Sequence, residues 1–499
     1  MVAARSTLCQ GGLNMIKTDI LVIGSGFGGA VCAARLVDAG KKVSLLERGP
    51  WRDSESNRQS DLPQQGVTLQ PFPHGRQLPS HFLRQVSIGL LNGPKMLNRH
   101  GLFDLSLHPQ MSVLCSAGVG GGSHVYWSMN MRPTDPQYWD NRAIGLSAKQ
   151  MAPHYNWILA QMGSQPLEQM TVAPNKIDQA LAEYPSLNTQ CEQPALGFRF
   201  RGEYSNHGML GDAANHKVGL DEQLLLPRLS QGLTVYAEHE CLTIRRVGAY
   251  YHVHSVDHQK QQDKVFVTKT VVLGAGVINS MRILFRSRQV GGLTGLSALG
   301  QGFSGNGDVF ALWRAGRDTQ DFRQSPPSMG RFQVGHQPDA PFLYATGLNI
   351  LQQIPLLPTM LQRQLKHWLI LVGMGQDAAD GNISWGQHDI SLQFEQSKSP
   401  IFKSLYQSLR QLKIISKRRA WFLPQVPMTV HPLGGACVGI NEEQGVVDGH
   451  GEVFGHPNLY ITDGSALPAA TGTPPSMTIA AWSSHVSQAI LQKLQESNE

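Results

Sequence analysis

The stretch Ile20-Leu21-Val22-Ile23-Gly24-Ser25-Gly26-Phe27-Gly28-Gly29 decides the fold. Four apolar, mostly β-branched residues read as a buried strand. A helical pattern (Ala30, Val31, Ala33, Ala34, Leu36, Val37) follows the glycines and stops at Gly40. Val43 to Leu46 then reads as a second strand ending at Glu47 and Arg48. Gly24, Gly26 and Gly29 hold the three positions of G-x-G-x-x-G, with Phe27 and Gly28 completing the turn. The first glycine allows a tight turn, the second lets backbone N–H groups approach a pyrophosphate, and the third lets the helix pack on the sheet. The helix N-terminus adds partial positive charge. Glu47 stands 18 residues past Gly29, where a ribose-binding carboxylate belongs.

Three further segments point from a generic nucleotide to FAD. Gly118 to Met129 reads GVGGGSHVYWSM, and Gly118, Gly121 and Gly122 leave no side chains between backbone and a flat ligand; Tyr126 and Met129 follow. Val271 to Ser280 reads VVLGAGVINS, a second strand-turn-helix unit with Gly274 at its turn. Asn458 to Ser465 ends a strand with Asp463 and Gly464, suited to the ribityl–pyrophosphate region.

These nucleotide segments bracket a middle region of different character. The expected division is an N-terminal extension (1–16), a first FAD-binding part (17–135, with 51–110 as a cofactor-covering excursion), a substrate or cap segment (136–224), a second FAD-binding part (225–310), a substrate domain (311–428) and a third FAD-binding part (429–499). The fold class is α/β, a discontinuous Rossmann-like domain joined to a second domain on a mainly antiparallel sheet with helices. Leu351 to Val372 is read as a core helix or as a lid over an apolar substrate, resting on a membrane surface.

Composition excludes other classes. Gly is 52 of 499 residues without a G-X-Y period, which removes collagen. Lys plus Arg is 42 against 36 Asp plus Glu, and the excess is scattered, so no nucleic-acid partner is expected. The six Cys form no CxxC, so neither a metal site nor a vicinal redox disulfide is expected. Residues 1–14 make a poor signal peptide, and the expectation is a cytoplasmic protein, peripheral to a membrane at most. The sequence leaves the oligomeric state open.

Together these motifs, with GNGD at 305–308, HPLGG at 431–435 and NLYITDGSALP at 458–468, resemble the glucose–methanol–choline (GMC) flavoprotein oxidoreductases, most of all their cholesterol-oxidase branch. The resemblance implies FAD, with Met129 against the isoalloxazine, Cys241 offering backbone to the adenine, and the surroundings of Asn306 bordering the flavin. It makes His431 the active-site base that receives a hydroxyl proton while hydride passes to flavin N5, and it places Met477, in the helix after Pro475, beside the flavin. The implied substrate is an apolar, sterol- or lipid-like alcohol, and the acceptor O₂ or an electron carrier. Two departures stand out. Pro474 occupies the family's second catalytic Asn/His position, leaving Thr473 or Ser476 as substitutes, and no Asp or Glu lies between Pro341 and Gln376. An isomerase, lyase or reductase acting without net alcohol oxidation is therefore the alternative, and a nucleotide-binding structural protein a third reading.

Overall fold

The computed structural model describes residues 15–73, 82–88, 93–166, 177–199, 209–315, 321–322, 325–335, 340–348, 358–424 and 427–496. Its organising element is a five-stranded parallel sheet. The strands are β1 (Ile20–Ile23), β2 (Val43–Glu47), β3 (Leu233–Ala237), β4 (Thr270–Leu273) and β5 (Leu459–Ile461). They lie in the order β5-β4-β1-β2-β3. β1, β2, β4 and β5 are buried along their whole length, which is why apolar residues dominate them without a polar-apolar alternation. Strand order reverses between β1 and β4, and in open sheets of this kind the ligand crevice opens at the carboxyl ends of those two strands.

Helices α1 (Phe27–Asp38), α2 (Val277–Gln289) and α3 (Ser476–Glu496) cover the sheet. The approach of α1 to β1 leaves no room for a side chain at Gly29, where a Cβ would lie 1.8 Å from Gly24 O. Gly24 has φ +94°, and its Cβ would lie 2.4 Å from Gly274 O, so the β1 and β4 turns touch through backbone. From α3, Trp482 Nε1 donates to Ile461 O (3.0 Å) and Ser483 Oγ donates to Gly28 O.

A second, six-stranded sheet roofs the crevice. Its order is Ala420–Phe422, Val309–Arg314, Trp368–Gly373, Leu343–Gly347, Gly330–Gln333, Gln190–Glu192, and every neighbouring pair is antiparallel. Val309, Ala311 and Trp313 point to its buried side, whereas Phe310, Leu312 and Arg314 share the other face. The expected antiparallel substrate sheet is present.

Three local expectations are corrected. The 51–110 excursion carries strands Leu83–Ile88, Lys95–Met96 and Phe103–Leu107, which join Ser112–Ser116 and Met428–Thr429 in a sheet; their short, polar-interrupted pattern hid them. Leu351–Val372 is no continuous helix: residues 351–357 lie outside the described ones, Thr359–Leu365 is a short helix, and Trp368–Gly373 is a central strand. The expected extension of 1–16 overlaps strand Met15–Lys17, which pairs in parallel with Val265–Val267. Residues 1–14 are outside the described ones.

Candidate active site

A cavity of about 330 Å³ opens at the carboxyl ends of β1 and β4 and runs under the antiparallel sheet. At its nucleotide end it is bounded by Gly24, Gly26, Phe27 and Gly28 of the first turn, by Glu47 and Arg48 after β2, and by Cys241 and Gly274. Gly121, Gly122, Tyr126 and Met129 line it from the second glycine segment, and Asp463 and Gly464 from the turn after β5.

FAD fits this end for reasons visible in the backbone. Gly26 is the N-cap of α1, no acid stands in the first turn, and a Cβ at Gly26 would meet nothing within 4 Å. The orphan N–H groups of the helix start therefore face open space suited to a pyrophosphate. Glu47 is buried, with Oε2 accepting from Ser25 N (3.1 Å) and Oε1 from Gly49 N (2.9 Å); carboxylate oxygens have further acceptor capacity for a ribose.

Several glycines and polar residues serve the protein rather than the cavity. Gly29 and Gly118 do not line it: Gly29 is the packing glycine described above, and Gly118 accepts Ser25 Oγ on its carbonyl (3.3 Å). Gly434 and Gly435 of the HPLGG motif pack against protein, the first on backbone and the second on a side chain. A Cβ at Gly434 would lie 1.9 Å from Gly302 O, and one at Gly435 2.8 Å from Met281 Sδ. Asp463 touches the cavity, but its carboxylate holds the α2 start, Oδ2 accepting from Gly276 N (2.8 Å) and Oδ1 from Ser465 N (2.8 Å). Burial raises its pKa, and the hydrogen bonds from Ser280, Ser465 and Gly276 oppose this.

Asn306 is also placed differently from the expectation. It is fully buried off the cavity, with Oδ1 accepting from Thr471 N (2.9 Å) and Gly472 N (3.1 Å) and Nδ2 donating to Thr473 O (2.8 Å). It clamps the 471–473 loop. Thr473 likewise turns away, its Oγ1 donating to Arg132 O (2.9 Å), and Met477 is fully buried off the cavity. Of the two substitutes for the missing Asn/His, only Ser476 lines the cavity with Pro474 and Pro475; its Oγ is buried with no partner.

His431 sits where the nucleotide end meets the roof. Its Nδ1 lies 3.0 and 3.1 Å from the two carboxylate oxygens of Asp308, a fully buried residue. Thr429 Oγ1 (2.8 Å) and Val430 N (3.0 Å) both donate to Asp308 Oδ2. Ser304 N–H and Leu433 N–H each donate to the other residue's carbonyl (3.0 and 2.9 Å), pinning the two loops together. A carboxylate can only accept, so the Asp308 contact calls for a proton on Nδ1 and leaves Nε2 as the nitrogen available to a ligand. Sequence reading missed this partner: the Asp of GNGD was visible, but its pairing depends on a residue 123 positions away.

A second missed group is an ion cluster beside Arg48 and Glu240 of the cavity wall. Asp104 pairs with Arg48 (2.7 Å) and Arg84 (3.3 Å), and Arg84 pairs with Glu240 (2.6 Å). Burial pushes Glu240 upward, yet Arg84 and the hydrogen bond from His258 outweigh it and hold the carboxyl well below its ordinary range. Arg48 thus ties the excursion sheet to the nucleotide domain while lining the cavity.

The roof is apolar. Trp127, Met129 and Met209 meet Phe310, Val372 and Met374 across the space above His431. Asp377, the nearest acid to follow the acid-free stretch, accepts from Gly305 N (2.9 Å) and Gly307 N (3.2 Å) and is a loop-former.

Fold and site together define a doubly wound nucleotide domain with the Asp308–His431 pair under an apolar roof. Family models described as GMC oxidoreductase match residues 18–293 and 412–483. The chain belongs to the GMC oxidoreductase family, an oxidoreductase whose cofactor is FAD. It is 23% identical to a cholesterol oxidase of Acinetobacter baumannii, across 94% of this chain and 93% of that one. It is similarly 23% identical to a cholesterol oxidase of Mycobacterium tuberculosis, across 93% and 89%. A long-chain-alcohol oxidase of Arabidopsis thaliana is 32% identical over only 24% of this chain and 12% of its own length. Among solved structures, pyridoxine 4-oxidase from Mesorbium loti superimposes with a TM-score of 0.63 at 14% identity, covering 95% of this chain and 99% of that one.

Proposed function

We propose that the enzyme oxidises a CH–OH group of an apolar alcohol, sterol- or lipid-like, with His431 as the base. The observation that carries this reading is the Asp308–His431 pair beneath the apolar roof. FAD, when bound, accepts the hydride taken from the substrate carbon.

The chain's own residues do the rest. Asp308 fixes the ring and leaves Nε2 free to take the hydroxyl proton, and it stabilises the imidazolium that results. Phe310, Val372 and Met374 exclude water and hold an apolar chain by burial, at about 25 cal/mol per Å² removed from water. Ser476 Oγ, unpartnered beside Pro474, stands in for the absent Asn/His as a hydrogen-bonding partner to the substrate oxygen. The reoxidant is O₂ or an electron carrier, and peripheral contact with a membrane would bring such a substrate within reach.

The test is anaerobic mixing of the flavin-loaded enzyme with a series of straight-chain and sterol alcohols. Bleaching of the flavin band by at least one supports the reading. If no alcohol bleaches the flavin while an enone or olefin substrate turns over, the isomerase or reductase alternative replaces it.

A further inference from the structure

Phe310, Leu312 and Arg314 share one face of the roof sheet, and only Phe310 reaches the cavity. Their cross-strand partners are Val372, Ile370 and Trp368, of which Val372 lines the cavity. On the other side Leu312 pairs with Trp421 of the edge strand, and Trp368 and Trp421 stand edge to face with centroids 6.5 Å apart. Apart from Arg314 at its outer end, the same sheet face is apolar from the cavity at Phe310 and Val372 to Leu312 and Trp421 at the molecular surface.

At the surface it stays apolar where burial ends. Trp421 is 64% exposed, Leu423 71% and Leu312 37%. In Thr359–Leu365, Gln364 Oε1 accepts from Arg314 Nη2 (3.4 Å), and Met360, one turn earlier on the same side, is 78% exposed. Trp421 and Leu423 alternate with Phe422, which turns inward to stack on Tyr406. Exposed large apolar groups gathered on one face mark an interaction surface.

Charge says what that surface meets. Residues 399–441 contain Lys403, Arg410, Lys413, Lys417, Arg418 and Arg419 and no Asp or Glu, whereas Lys398 just before them is paired with Glu395 (3.6 Å) and Asp380 (3.9 Å). Arg419 is exposed on the same side of the edge strand as Trp421, and Arg363 is exposed on the helix of Met360. An interfacial tryptophan among aliphatic side chains, rimmed by Lys and Arg, is the composition that lies in a headgroup layer. Among the described residues no helix is long and apolar enough to cross a membrane.

We propose that the face carrying Trp421, Leu423, Leu312 and Met360 docks on an anionic lipid bilayer and that the sheet face behind it leads an apolar substrate from the bilayer to the cavity. The docking stands by itself; the passage of substrate rests on the alcohol oxidation proposed above.

The test is flotation of the FAD-loaded, full-length enzyme with phosphatidylcholine vesicles carrying about 30% phosphatidylglycerol. The wild type is expected to float, and about 0.5 M NaCl is expected to reduce the bound fraction. The double variant Trp421→Glu/Leu423→Glu is expected to bind about tenfold more weakly or less, and Arg419→Gln about threefold more weakly. An unchanged flavin spectrum and unchanged turnover of a detergent-dispersed alcohol show that the variants are folded, while turnover of the same alcohol in vesicles falls with binding. Equal flotation of wild type and double variant overturns the proposal. So does a light-scattering mass showing a dimer that the double variant splits, since the face would then belong to a second copy. If vesicle binding behaves as expected but no alcohol bleaches the flavin, docking stands and the alcohol reading falls.

Discussion

The parallel sheet of β1–β5 and the antiparallel sheet built on Val309–Arg314 and Trp368–Gly373 border the same cavity, yet they are specified differently. In the parallel sheet the decisive contacts are backbone to backbone: Gly24 on Gly274, Gly29 on Gly24, Gly121 on Gly26. Each admits one residue type, so the geometry of the nucleotide end has little freedom to vary. In the antiparallel sheet the decisive contacts are side chains, Phe310, Val372 and Met374, which other apolar residues could replace with modest repacking. The cofactor end is therefore rigidly prescribed and the substrate end adjustable, which suits a family sharing FAD across different substrates.

Substitutions should sort by that division. The largest effect is expected from Gly29→Val. A Cβ 1.8 Å from Gly24 O cannot be relieved by a side-chain rotation, so α1 must leave β1. The expected outcome is protein without flavin absorbance, or none soluble; a yellow, stable variant would break the comparison. Next is His431→Ala, expected to lower kcat by about 10³-fold while FAD stays bound, with Asp308→Asn costing about 10²-fold through loss of the ring's fixed proton. Steady-state rates set against the flavin spectrum check both.

The seam between α3 and helix Ala148–Gln161 should also be acid-sensitive. His154, on helix Ala148–Gln161, accepts or donates through Nδ1 to Ser484 of α3 (2.9 Å), and burial pushes its pKa down to about 4. The unfolded chain takes up that proton near pH 6.5, so stability is intact above that pH and falls as pH drops from about 6.5 to about 4, by about 3 kcal/mol. Melting curves across that range should flatten in His154→Gln. The smallest effect belongs to the roof. Phe310→Leu is expected to shift KM for an apolar alcohol by a few-fold with the flavin spectrum unchanged.

The same division explains what was legible in the sequence. The β1 turn, Glu47 and the helix starts were readable because each depends on neighbours in the chain. Asn306 was not: its amide is spent on Thr471, Gly472 and Thr473, partners some 165 residues away. Gly434 and Gly435 were readable as tight spots, but whether backbone there meets a ligand or Gly302 is a tertiary fact. The strands of the 51–110 excursion escaped because their polar members, Arg84, Gln85 and Asp104, are buried in pairs rather than exposed in alternation.

On the proposed reading, this cavity breaks a carbinol C–H bond while His431 takes the hydroxyl proton. The most direct measurement is the rate of anaerobic flavin bleaching with a reactive alcohol and with the same alcohol deuterated at the carbinol carbon. Several-fold slower bleaching is expected with the deuterated compound, and loss of bleaching in His431→Ala with FAD retained. Equal rates for the two isotopologues, together with an unaffected His431→Ala, would contradict it.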